Sequence, residues 1–129
     1  MSMSTQVAGS VTFTAPMPGL EALTDFTLRP IPDAQGLYSL EGSGSFTIRL
    51  FLADAALFVP GYAPPFTRGT LSDLELDSVQ SGQVLVVVNP TEAGTTVNLM
   101  APVVLNPRTG ACTQVVLDGR EFPLRHRLV

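Results

Sequence analysis

Turn-forming residues recur throughout this sequence, and none of the runs between them is a convincing amphipathic helix. The 11 glycines and 11 prolines are spread along all 129 residues instead of being gathered in one tract. In the intervening runs, apolar residues alternate with polar ones, which is the period of a β-strand with one buried face. Alternating runs between closely spaced turns are typical of proteins built from many short strands. We therefore predict an all-β fold.

The alternation predicts about nine or ten strands and one helical turn. A sheet of many short strands removes its vulnerable edges by closing, so we expect an antiparallel β-barrel-like single domain. This domain comprises residues 11–129 and follows a small, polar and flexible N-terminus at residues 1–10. The helical turn is predicted at residues 55–58, before Pro60. The predicted strands are residues 11–15, 26–31, 37–40, 46–52, 71–79, 83–89, 96–106 with a break near Pro102, 113–117 and 122–129.

The segment 71–79 shows the alternation clearly. Leu74 and Leu76 fall on one side of the predicted strand. The other side carries the acidic residues Asp73, Glu75 and Asp77. Such an acidic row could in principle chelate calcium, but the segment lacks the glycine-punctuated loop that a calcium site requires. We interpret the row as a solvated or partner-facing surface of the strand.

Two asparagines stand inside the most hydrophobic region of the chain. Asn98 and Asn106 flank Pro102, which cannot donate to a β-ladder and therefore marks an edge, a bulge or a crossing between sheets. An asparagine amide beside a bulge can hydrogen-bond the backbone groups that the bulge leaves unpaired. The alternative is that Asn98 binds a backbone group of a partner. Both interpretations stay open from the sequence.

The charge and the chemical motifs restrict the function. The net charge of −4 and the pI of about 4.7 disfavour binding to phosphate backbones. All seven basic residues are arginines, so the chain has neither a Schiff-base lysine nor a P-loop lysine. The sequence also lacks the ligand spacing of a zinc site and the motifs of nucleotide cofactors. We expect no metal, no cofactor and no enzymatic activity.

One cysteine and one histidine leave a single nucleophile pair to consider. Cys112 could pair with His126, but it stands beside a run of small and apolar residues, where a lone cysteine usually packs as a small hydrophobe. A single cysteine cannot form an internal disulfide, which fits a reducing cytoplasm. The N-terminus has no signal-peptide pattern, and no apolar run approaches the ~18 residues of a membrane span. We expect a cytoplasmic protein that contacts no membrane.

Several segments in the same order resemble one family. The run TVNLMAPVVLN at residues 96–106 is followed by TQVVL and then by FPLRHRLV, and this order resembles the flagellar assembly factor family FliW. The run VTFTAPMPGLEALTDFTL is similar to the opening of that family, in which one phenylalanine precedes a PG turn and another follows. FVPGY is similar to an aromatic-bearing segment of the family. The resemblance spans residues 11–128, with departures at residues 40–42 and 54–55.

The resemblance implies regulation and not catalysis. Members of this family are small β-barrel-like cytoplasmic proteins that bind flagellin and the RNA-binding translational regulator CsrA, and they switch between these two partners. On this interpretation the acidic row repels RNA from CsrA. Tyr62 and Phe66 line an apolar groove for an amphipathic flagellin segment, and Asn98 is a candidate polar contact to that segment.

An alternative from another class is a small OB-like β-barrel that binds nucleic acid directly. Such a barrel needs a basic groove with interleaved aromatic rings, whereas the arginines near the C-terminus have only Phe122 beside them. The acidic balance of the chain also disfavours this alternative. We therefore expect flagellin and CsrA as partners, no direct contact with nucleic acid, and a monomer.

Overall fold

The fold is known from a computed structural model that describes residues 9–20, 23–42, 48–118 and 120–128. Residues 1–8 of the predicted N-terminus lie outside the described residues, and so does Phe46, where one strand was predicted to begin. The division into a flexible N-terminus and a domain therefore stays a prediction. Gly9 and Ser10 already belong to the first strand.

The described residues form one nine-stranded sheet with two short α-helices and one 3-10 helix. The predicted all-β class and the predicted strand number are confirmed. The strands are β1 (Gly9–Phe13), β2 (Asp25–Pro30), β3 (Leu37–Gly42), β4 (Arg49–Asp54), β5 (Gln83–Thr91), β6 (Gly94–Val97), β7 (Val103–Leu105), β8 (Ala111–Gln114) and β9 (His126–Arg127). The helices are α1 (Ala55–Phe58), α2 (Arg68–Asp73) and the 3-10 helix Val79–Ser81.

The sheet closes into a barrel through the pair β4–β5. The strands follow the order β4-β3-β2-β1-β8-β7-β5, and the pairing of β4 with β5 completes a seven-stranded ring. Strands β6 and β9 continue the sheet beyond β5, outside that ring. Among the described strands, all pairs are antiparallel except β1 with β8. The predicted antiparallel barrel is therefore confirmed, with one parallel pair.

β5 is the central strand, since it pairs with three other strands. On one edge it pairs with β7 and then with β6, and on the other edge it pairs with β4. Successive side chains of a strand point to opposite faces. Leu85 and Val87 accordingly pack in the core inside the barrel, whereas Val84, Val86 and Val88 pack in a second cluster outside it.

The closing pair is buried on both faces. Inside the barrel, Leu52 of β4 and Leu85 of β5 are each 1% exposed in the core, where Phe13 and Phe26 pack edge to face with ring centroids 5.3 Å apart. Outside the barrel, Ala53 and Val86 are fully buried beneath a layer that includes Tyr62 and residues of α1 and β6. Burying a side chain the size of valine or leucine contributes about 1.5–3 kcal/mol. The outer layer therefore stabilises the strand pair that closes the barrel.

The prediction of a strand at residues 71–79 is wrong. The end of α2, a turn and the start of the 3-10 helix occupy this segment. Thr67 caps α2 by accepting a hydrogen bond from a backbone N–H of its first turn at 3.1 Å, and Glu75 adopts a left-handed φ of 57°. Leu74 and Leu76 are buried as predicted. A helix end followed by a turn thus gives the same alternation in burial as a strand.

The other secondary-structure predictions differ mainly at the C-terminus. The helical turn is confirmed as α1, and the predicted break near Pro102 is confirmed as the loop between β6 and β7. β8 ends earlier than predicted, since the N–H groups of Val115 and Leu117 donate to carbonyls of that loop and not to a neighbouring strand. Of the predicted closing strand 122–129, the described residues 122–128 contain only the two residues of β9 in a strand, and Val129 lies outside the described residues. In the described part of the chain, no helix is long and apolar enough to cross a membrane.

Asn106 ties the segment after α2 to the barrel. Its Nδ2 donates to the carbonyl oxygen of Leu74 at 2.7 Å, and its Oδ1 accepts from the backbone N–H of Arg108 at 2.9 Å. Asn106 is only 2% exposed, so these backbone groups depend on it instead of on water. Asn106 thus has a structural role, but its partners are the turn after α2 and the backbone at Arg108 and not the irregular region around Pro102 that the sequence analysis expected.

Replacing Asn106 with Ala should lower the free energy of unfolding by about 1–3 kcal/mol, because the carbonyl of Leu74 loses its buried donor. The same substitution at the exposed Asn89 should change it by less than about 0.5 kcal/mol. Urea denaturation of both variants measures the difference. Equal stability of the Asn106→Ala and Asn89→Ala variants would show that the buried amide contributes nothing.

Candidate partner-binding surface

An open groove of about 480 Å³ lies where α1, the segment that follows it and the start of β5 meet. Tyr62 and Phe66 line this groove together, and we name it the Tyr62 groove. Ala63, Val79 and Gln83 are further residues of its lining. The structure thus brings together the two aromatic residues that the sequence analysis assigned to one apolar groove.

Tyr62 is held in a fixed position. Its hydroxyl donates to the carbonyl oxygen of Leu99 at 2.5 Å, and its ring packs edge to face on Phe122 with centroids 5.9 Å apart. Burial raises the pKa of the Tyr62 phenol above its ordinary value, so the hydroxyl stays protonated and remains a donor. The ring therefore forms a rigid wall of the groove and also belongs to the outer apolar layer.

Phe66 connects the groove to the segment after α2. It is half-buried and packs against a small cluster that contains Leu74, Leu76 and Val104. Because Phe66 also lines the Tyr62 groove, the wall of the groove rests directly on the buried leucines of the neighbouring segment. A partner that displaces Phe66 would disturb that segment.

The acidic residues Asp73, Glu75 and Asp77 are all exposed, and we name them the acidic segment. They do not form the straight row on one strand face that the sequence predicted, because the backbone turns at Glu75. The segment borders the Tyr62 groove, since Val79 lines the groove two residues after Asp77. In the described part of the chain, no group of three or more acidic, histidine or cysteine side chains could bind a metal ion.

Gln83 is a groove residue that the sequence analysis missed. Its Nε2 lies 3.4 Å from the hydroxyl of Tyr38, to which it donates, and its Oε1 is buried with no hydrogen-bond partner among the described residues. A buried acceptor without a donor costs about 1–3 kcal/mol. The available signal was the position of this polar residue, directly before the apolar run VLVVV.

Asn98 lies apart from the Tyr62 groove, in a second groove. Its Oδ1 accepts from the backbone N–H groups of Met100 and Ala101 at 2.9 and 3.1 Å. The structural role that the sequence left open is therefore present, since the amide holds the irregular loop around Pro102. The structure does not bring Asn98 together with Tyr62 and Phe66 in one groove.

Cys112 cannot serve as a nucleophile in this fold. It is 1% exposed inside the barrel, where its thiol lies 3.7 Å from the carbonyl oxygen of Thr12. Burial raises the pKa of the thiol to about 12, so it is protonated at neutral pH. His126 belongs to β9, which pairs with β6 outside the ring of the barrel. This arrangement removes the Cys112–His126 hypothesis.

The described residues define a small closed β-barrel with open grooves on its surface. The sequence profile of the family described as FliW protein matches residues 2–128. The chain therefore belongs to the FliW family of flagellar assembly factors. The resemblance seen in its C-terminal motifs is confirmed.

Individual relatives agree with this assignment. The chain is 28% identical to the flagellar assembly factor FliW of Moorella thermoacetica over 115 residues. The aligned part covers 87% of this chain and 73% of that protein. It is 22% identical over 118 residues to the FliW protein of Bacillus subtilis, with 90% and 82% covered. A crystal structure of the flagellar assembly factor FliW matches the fold with a TM-score of 0.82 at 23% identity, covering 92% of this chain and 84% of that one. The ring of this barrel has seven strands, whereas the OB-fold considered as an alternative is a five-stranded barrel.

Cys112 should resist alkylation in the native protein and react after denaturation, because its thiol is buried and its pKa is raised to about 12. Incubation with iodoacetamide at neutral pH, followed by mass spectrometry, measures the modified fraction. The denatured protein is the control for the reagent. Rapid and complete modification of the native protein would contradict the position of Cys112 in the core.

Proposed function

We propose that this protein is a partner-switching regulator that binds flagellin and, when free of flagellin, binds the translational regulator CsrA and opposes its binding to RNA. It acts in the cytoplasm as a monomer and catalyses no reaction. The observation that supports this most directly is that an apolar groove and an acidic segment adjoin each other on the surface. Membership of a family of flagellar assembly factors agrees with the flagellar part of the proposal.

The Tyr62 groove suits an amphipathic flagellin segment. Such a segment cannot bury its apolar face alone and needs an apolar groove with a few polar contacts. The hydrogen bond from Tyr62 to Leu99 fixes one wall before binding, which reduces the ordering cost of association. Gln80 is an exposed polar residue of the lining and can supply a polar contact to the bound segment.

The acidic segment suits the opposition to RNA. Its three carboxylates are exposed, and CsrA docked beside them would have its RNA-binding surface within reach of their field. The Debye length is about 8 Å at physiological salt, so only phosphates brought this close are repelled appreciably. The overall charge of −4 adds to the same effect.

The shared border of the groove and the acidic segment supports mutual exclusion of the two proposed partners. Phe66 lines the groove and packs on Leu74 and Leu76, which alternate with the acidic residues. A flagellin segment in the groove would therefore occupy or disturb the surface that CsrA needs. A coupling of only ~1.4 kcal/mol already makes a tenfold difference in affinity.

Replacing Ala63 with Trp should weaken flagellin binding by roughly tenfold or more, because the indole would fill the Tyr62 groove from an exposed position. The matched control is Ala93→Trp, which places the same side chain on an exposed turn outside the groove. Isothermal titration calorimetry with purified flagellin measures both affinities. Equal affinity for the two variants would place the flagellin site elsewhere.

Reversing the charges of the acidic segment, with Asp73→Lys, Glu75→Lys and Asp77→Lys, should abolish the displacement of RNA from CsrA. Flagellin binding should change little, since these side chains do not line the groove. A control with Asp33→Lys, Glu92→Lys and Glu121→Lys changes the net charge equally at other exposed positions. Fluorescence anisotropy of a labelled RNA bound to CsrA gives the readout. If both triple variants displace RNA like the unchanged protein, the acidic segment is not responsible.

A further inference from the structure

The two strands that close the barrel part at one end. Their pairing ends at Phe51 and Val88, whereas β4 already begins at Arg49 and β5 continues to Thr91. Beyond the last pair, and among the described residues, β4 is paired only with β3 and β5 only with β6. The strands thus form a fork in which the backbone edges that face each other are unpaired. We name this opening the β4–β5 fork.

A groove of about 430 Å³ occupies the fork and exposes apolar side chains from both faces of the sheet. Leu50 and Val87 in its lining pack on the core inside the barrel, and Val88 packs on the outer layer. Phe51 and Leu124, also in the lining, are 36% and 50% exposed. The outer layer that buries the rest of the closing pair therefore stops short of this end.

The charges in the groove have one sign. Arg49 and Arg125 line it, whereas no aspartate or glutamate does. Arg49 is paired with Glu41 at 3.0 Å, but Arg125 forms no hydrogen bond or ion pair with a described residue. Asn98 also lines the groove and uses only its Oδ1 for the loop around Pro102. In a protein of net charge −4, an unpaired cation beside exposed apolar surface favours an acidic occupant.

We propose that the β4–β5 fork is a second protein-docking site, which takes an extended partner segment that carries apolar side chains and a carboxylate. The segment lies alongside the start of β4 and hydrogen-bonds the backbone of Arg49, the β4 residue beyond the last pair whose backbone groups face the fork, while side-chain contacts supply specificity. An apolar side chain packs between Phe51 and Leu124, and the carboxylate pairs with Arg125.

This site is separate from the Tyr62 groove. Asp54, at the opposite end of β4, lines the Tyr62 groove, whereas Arg49 and Phe51 line the fork. The proposal therefore does not require that the Tyr62 groove binds flagellin. If an experiment disproves binding at one site, the proposal for the other site still depends only on its own experiment.

The test is a selection of phage-displayed random 12-residue peptides on the full-length protein. We expect enriched peptides in which Asp or Glu accompanies aliphatic or aromatic residues. For a labelled synthetic copy of such a peptide, Arg125→Glu should weaken binding by roughly tenfold, since it turns attraction into repulsion. Phe51→Ser should weaken it at the exposed apolar wall. Arg108→Glu, an exposed arginine outside the groove, is the matched control and should leave the affinity within about twofold.

Several results would overturn the proposal. No enrichment, or enrichment of basic or uncharged peptides only, would show that the fork does not select an acidic segment. Amide NMR shifts confined to the Tyr62 groove would show that the peptides bind there and not at Arg49–Phe51. Finally, analytical ultracentrifugation would reveal a dimer that Arg125→Glu dissociates if a second copy of this chain, and not a partner segment, covers the fork.

Discussion

The pairing of β4 with β5 is the contact on which the rest of the structure depends. It joins the two ends of a sheet that would otherwise remain open, and open edges expose unpaired backbone groups. Ala53 and Val86 at its centre are fully buried, because one apolar core lies inside the barrel and another lies outside it. The two grooves lie at the two ends of this strand pair, so its length sets the distance between them.

Polar side chains hold the irregular segments against this barrel. Asn98 accepts hydrogen bonds from two backbone N–H groups of the loop around Pro102. Asn106 donates to a carbonyl of the turn after α2, and the Tyr62 hydroxyl donates to the carbonyl of Leu99. These segments carry the candidate binding residues but have no β-ladder of their own. Their surfaces are therefore preorganised by a few hydrogen bonds, which lowers the cost of ordering them when a partner binds.

A regulator that exchanges partners needs surfaces that influence each other, and adjoining sites achieve this without a large conformational change. Phe66 belongs both to the lining of the Tyr62 groove and to the cluster beneath the acidic segment. A segment bound in the groove, as proposed above, would therefore act on the acidic segment through direct packing. Exclusion between partners requires only a modest difference in free energy, because a few kcal/mol changes occupancy by orders of magnitude.

The sequence by itself determined part of the burial pattern, because alternation is local and survives whether the backbone is a strand or a helix end. Leu74 and Leu76 were placed correctly on this basis, although their segment is not a strand. The predictions of the all-β class, of the break at Pro102 and of the family likewise rest on local patterns in the sequence. Only the tertiary structure decided the parallel pairing of β1 with β8, the closure through β4–β5, the separation of Asn98 from Tyr62, and the fork. These features join residues far apart in the chain, and no local pattern specifies which distant strands meet or where their pairing stops.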